Sequence, residues 1–65
     1  MISKTLLEEL RQKNVRICVK NVAESQCSHT GKIERVTEYV VILHNEEHNA
    51  DTIIPIDNIA FIRIL

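Results

Sequence analysis

Four side chains of this sequence have the donors of a metal site: Cys27 and His29 in a Cys-x-His arrangement, and His44 and His48 four residues apart. Thiolate and imidazole suit zinc and other borderline ions. The spacing matches no established ligand pattern, and the two later histidines flank acidic residues in a polar stretch, so the expectation is no metal. Catalytic chemistry has less support. There is no Ser/His/Asp order, no phosphate-cradling glycine loop and no arguable pair of carboxylates in a cleft, so we expect a non-enzymatic protein without a cofactor. Binding chemistry is better provided for. Tyr39 offers a ring on which a nucleobase stacks, worth about 1–3 kcal/mol per base. Arg11, Lys13 and Lys32 offer cations to phosphate, with Arg16 beside them in the chain. Each has a plainer reading: Tyr39 as the residue that opens a strand and covers a barrel mouth, the cations as solvated charge. Phe61, among isoleucines, reads as core.

Those residues must be held by short elements. Ile2, Leu6 and Leu10 fall at helical spacing with Leu7 beside them, which predicts a helix over residues 1–13. Ser3 suits the N-cap, with Thr5 and Glu8 as an alternative capping box one turn later, and Asn14 suits the stop. Residues 15–20 alternate strictly, with Val15, Ile17 and Val19 facing a core and Cys18 on the opposite face. Residues 21–30 are polar and read as a long loop or ragged strand ends. Gly31, the only glycine, marks a bend or a close approach of backbones. Ile33 and Val36 are three apart, not two, which predicts a bulged strand. Thr37 and Glu38 make a turn, residues 39–43 form a strand, residues 44–51 a hairpin loop, and residues 52–56 and 59–65 two last strands. Pro55 has no N–H for a ladder and belongs at a strand end or an edge, and Asp57-Asn58 favours a corner. One helix (1–13) and five short strands (15–65) predict a mainly β, single-domain fold: an N-terminal helix and a strongly bent SH3-like barrel, closed or nearly so.

Sixty-five residues lie near the lower limit for folding without staples. Such a domain buries only about 60% of the surface its unfolded chain exposes. Two cysteines are too few for a disulfide scaffold, and no basic leader with an apolar core precedes the helix. The expectation is a cytoplasmic protein with free thiols and no membrane span. Formal net charge is −1, against indiscriminate nucleic-acid binding, yet residues 1–35 carry seven basic and four acidic groups and residues 36–65 one and five. The runs Val40-Val41-Ile42-Leu43 and Ile53-Ile54 do not alternate, so both faces of those strands ask for burial, and a partner subunit is the simplest cover. Ile53, Ile54, Ile62 and Ile64 are the expected contact between subunits.

The pattern resembles the Sm/Hfq family of RNA-associated ring proteins. Leu6-Leu7-Glu8-Glu9-Leu10-Arg11 leading to Val15 is similar to the end of the Hfq helix entering strand one. The segment from Gly31-Lys32-Ile33 through Tyr39-Val40-Val41-Ile42-Leu43 is similar to the first family signature, and Ile59-Ala60-Phe61-Ile62 to the apolar spacing of the second. The resemblance implies a homo-oligomeric ring, hexameric or heptameric, in which the fourth strand of one subunit pairs with the fifth of the next. It also implies contact with single-stranded RNA or a ribonucleoprotein partner through Arg11, Lys13, Lys32 and Tyr39. The polar signature positions differ: Thr37 and Val41 replace an aspartate and an asparagine, and Pro55-Ile56-Asp57 replaces the triplet that contacts uridines. A protein-interaction barrel without RNA therefore stays open beside the RNA reading, with a small metal- or ligand-binding protein as a third.

Overall fold

A computed structural model of the chain describes residues 2–65, the side chain of Glu24 excepted. The expected helix is there but short: α1, Lys4–Glu9. Ser3 is its N-cap, with Oγ accepting from the Leu6 N–H at 3.1 Å. The helix stops before Asn14 because the backbone finds better partners across the fold. Gln12 N–H donates to the Ile33 carbonyl and Ile33 N–H to the Lys13 carbonyl, and Gln12 takes a left-handed conformation, φ 69°. Residue 1 of the expected helix lies outside the described residues. α1 buries Leu7 and its C-cap Leu10 is buried as well, while Leu6 is exposed.

Five strands follow: β1 Asn14–Val19, β2 Ser28–Val36, β3 Val40–Asn45, β4 Ala50–Pro55 and β5 Ile59–Ile64. They form one antiparallel sheet in the order β4-β3-β2-β1-β5. The sheet is not closed: among the described residues β4 and β5 share no ladder, and a 3-10 turn, Ile56–Asn58, carries the chain between them. The closed barrel expected from strand count thus gives way to a bent, open sheet, barrel-like in outline, with both end strands unpaired on one side. Pro55 ends β4, an edge strand, where its missing N–H costs nothing.

Ile17, Ile33, Val15, Val41, Leu43 and Leu7 are the largest fully buried side chains, and Leu10, Ile54, Ile56 and Ile59 complete one cluster. Two bulges decide which residues reach it. In β2 the register with β3 shifts between Ile33 and Arg35, so Glu34 is the extra residue, as the Ile33/Val36 spacing predicts. In β5 the register with β1 passes from Val19↔Ile59 to Cys18↔Phe61, so Ala60 is extra and the alternation flips. Ile62 then packs against the core and Phe61 does not: the residue is 48% exposed, which corrects its reading as core.

The cysteines are not free. Cys18 and Cys27 form a disulfide that ties the end of β1 to the residue before β2. The register explains the pairing, since Cys18 lies opposite Ser28 and Val19 N–H bonds to the Cys27 carbonyl. Closing a loop this short stabilises the fold by about 2–3 kcal/mol in the chain-entropy account, a staple of the kind so small a domain uses.

Candidate functional site

Main-chain bonds between the helix exit and β2 decide where the cations lie. The reciprocal bonds of residues 12 and 13 with Ile33 set Lys13 beside β2, and Asn14 is the register partner of Lys32. Arg11 and Lys13 are exposed and Lys32 is half-buried. Arg11 lines a cleft of about 580 Å³ with Glu34, Arg35, Val36, Ile42 and Asp51. Its cation therefore shares that cleft with two carboxylates.

Tyr39 does not join this group. It follows Thr37, whose Oγ1 accepts from the N–H groups of Tyr39 at 3.2 Å and Val40 at 3.1 Å and so fixes the β2–β3 turn. The Tyr39 carbonyl accepts from Ile56 N–H at 2.8 Å, while the residue as a whole is 78% exposed. The second half of β2 separates it from Lys32, on the order of 13 Å at strand rise. The four residues expected to contact RNA thus divide into three cations carried by the helix exit and β2, and an exposed tyrosine at the β2–β3 turn.

The subunit-contact residues divide differently. Ile53 on β4 is 63% exposed, and Ile64 on β5 is exposed with Leu65 beyond it. Ile62 is half-buried against the core. Ile54, at 3% exposure, is part of this chain's own core and presents nothing to a neighbour. Both end strands thus carry apolar side chains beside a free backbone edge. Exposed edges are commonly protected by charge or proline. Here Asp51 and Pro55 guard only the two ends of β4, and Arg63 is the single charge on β5.

Of the sulfur and imidazole groups weighed for metal, Cys27 is taken by the disulfide. His44 does belong to a cluster, but with partners the Cys/His spacing did not suggest. His44 and Asp51 are cross-strand partners on β3 and β4, with Nδ1 2.7 Å from Asp51 Oδ1. Glu34, the bulged residue of β2, brings Oε2 to 4.0 Å from the same nitrogen. The hydrogen bond to Asp51 raises the His44 pKa above its ordinary value. Partial desolvation opposes this, and the charges of Asp51, Glu34 and Glu46 add to it. Gly31 holds the other side of His44: a Cβ there would stand 2.8 Å from the His44 carbonyl oxygen, so only glycine lets β2 and β3 approach this closely. The missed signal was in the hairpin itself, since a loop running from residue 44 to residue 51 sets those two residues opposite each other.

No family model, curated protein or solved structure matches this chain. Among the described residues no helix is long and apolar enough to cross a membrane.

Proposed function

We propose that this chain is a non-enzymatic, ring-forming small-barrel module of Sm-like type. The β4 edge of one copy pairs with the β5 edge of the next, and the assembly, a hexamer or heptamer, presents Arg11, Lys13, Lys32 and Tyr39 to single-stranded RNA or a ribonucleoprotein partner. One observation carries the reading: among the described residues each end strand leaves one edge unpaired and bears exposed apolar residues, Ile53 on β4 and Phe61 and Ile64 on β5. Edge pairing would supply the missing ladder bonds and cover those side chains together. A ring would also repeat a weak cationic cluster, so that several poor contacts act as one good one.

A second reading is an interaction scaffold that assembles without RNA. The Arg11 cleft favours it, because Glu34 and Asp51 offset the attraction that Arg11 and Arg35 would exert on a phosphate. A cytoplasmic place belongs to the proposal too, although the Cys18–Cys27 bond weighs towards an oxidising compartment.

Light scattering at micromolar concentration tests the assembly. A multiple of the chain mass is expected, reduced to the single-chain mass by Ile53→Lys with the circular dichroism spectrum kept. A wild-type monomer overturns the ring. On an assembled ring, affinity for oligouridine or oligoadenine that falls steeply with salt supports the RNA reading. No binding at low salt supports the scaffold.

A further inference from the structure

We propose that Glu34, His44 and Asp51 form a binding site for a divalent first-row transition ion of the zinc class, with coordination positions left open on the outer face of the sheet. The inference is independent of ring assembly and of RNA. It starts from three ligand atoms, one from each residue, that all lie within 4.8 Å of one another. Three ligands each about 2.0–2.2 Å from one ion stand roughly 3–3.5 Å apart. The observed 2.7 Å and 4.0 Å separations from His44 Nδ1 bracket that spacing, so small side-chain rotations bring all three onto one ion.

The cluster is also unbalanced as it stands. The Nδ1–H of one imidazole donates to one acceptor, Asp51, and Glu34 is left beyond hydrogen-bond distance. Among the described residues no lysine or arginine approaches either carboxylate within ion-pair distance. Two carboxylates therefore converge on a single group that carries at most one positive charge, and a divalent ion would satisfy both.

The backbone devices around the cluster all act on its members. The β2 bulge makes Glu34 the extra residue, a device that re-aims a side chain. Strict β3–β4 register sets His44 opposite Asp51. Close packing of Gly31 on the His44 carbonyl, with the 3.1 Å bond from Asn45 Nδ2 to the Thr30 carbonyl, fixes the β2–β3 spacing at that point. Each ligand thus comes from a different strand of a rigid sheet and not from a loop.

The donor set narrows the ion. An imidazole nitrogen suits zinc, cobalt, nickel or iron, whereas magnesium and calcium prefer oxygen alone. Three protein ligands leave at least one position for water, as catalytic zinc sites do and closed structural sites do not. Metal must displace the proton shared by His44 and Asp51, so binding should strengthen as pH rises. Lys32, the β2 partner of His44, and Arg11 and Arg35, which line one cleft with Glu34 and Asp51, limit affinity by repulsion, whereas Glu46 adds to the attraction.

The test is titration of the oxidised chain with cobalt(II) in a non-coordinating buffer at about pH 7.5, read by visible absorption and by equilibrium dialysis. One ion per chain is expected, with ligand-field bands and no thiolate charge-transfer band, displaced by zinc. Outer-shell changes alone cost 10–100-fold in affinity, so Glu34→Gln and Asp51→Asn should each weaken binding by about tenfold or more, and His44→Asn should abolish it. Circular dichroism checks that each variant keeps its fold. His48→Asn, outside the cluster, should bind as wild type. Absence of binding by the wild type at millimolar metal overturns the site, as does unchanged affinity in His44→Asn or a loss in His48→Asn equal to that in His44→Asn.

Discussion

The outer face of the sheet has two unlike halves. Across β1 and β5 it is cross-linked, with Cys18 bonded to Cys27 and Phe61 the cross-strand neighbour of Cys18, and its only paired charges are two cations, Arg16 opposite Arg63. Across β2, β3 and β4 it is charged, with Glu34, His44 and Asp51 drawn together. Both halves stand on the same inner layer of isoleucine, leucine and valine. The difference teaches where each property comes from. A covalent bond makes the first half a source of stability. The second half puts ionisable groups within reach of one another, and its gains in stability are small because exposed ion pairs are weak. What the second half has instead is chemistry.

Breaking the first half should have the largest effect. Cys18→Ala with Cys27→Ala, or reduction of the wild type, should lower stability by about 2–3 kcal/mol, a fall in Tm of roughly 10–20 °C for a domain this size. Calorimetry of oxidised, reduced and double-mutant protein measures it. A shift of only a degree or two would mean that the bond adds nothing the packing does not already supply, and the contrast between the halves would fail.

Gly31→Ala probes the seam beneath the second half. Its Cβ would stand 2.8 Å from the His44 carbonyl oxygen and 3.2 Å from the carbonyl carbon, so a backbone rather than a flexible side chain must give way. Overpacking of this kind costs about 1–3 kcal/mol. Denaturant unfolding should register that loss. Cobalt affinity of the folded variant should fall as well, because the strand carrying His44 has to shift. Stability equal to wild type would show the β2–β3 spacing to be soft, and the charged half to be positioned by something other than Gly31.

The two halves were also unequally legible. Wherever side chains only had to choose in or out, sequence spacing sufficed: Ser3 as cap, the alternation of Val15 and Ile17, the bulge after Ile33, and Pro55 at a strand end. Where the outcome depended on register between strands, it did not. The disulfide needs Cys18 opposite Ser28, which no local pattern states. Phe61 was misread because an extra residue, Ala60, reverses alternation within β5. Glu34 reaches His44 only through a bulge in one strand and a register set by another. Ile54 joined Ile53 as a surface residue because an unbroken apolar pair does not say which member turns inward.

The smallest effect, and the finest test of the charged half, is its response to pH. Asp51 holds the His44 pKa above the ordinary 6.5, so the protonated imidazolium is favoured in the folded chain. A group whose pKa is raised by folding adds stability that is complete below its unfolded value and lost as pH rises through its folded value. In metal-free protein, Tm should therefore fall gently as pH rises from about 6 through the neutral range. The groups that bear on His44 are Asp51 on β4, Glu34 and Lys32 on β2, and Glu46 just beyond β3. The slope is assigned to the imidazole of His44, whose pKa the fold raises. His44→Asn should flatten it, and Asp51→Asn should reduce it by removing the main cause of the shift. With cobalt bound the sign should reverse, because metal and proton compete for the same nitrogen and metal wins as pH rises. A slope that survives in His44→Asn would place the titration elsewhere and reduce the charged half to solvated surface.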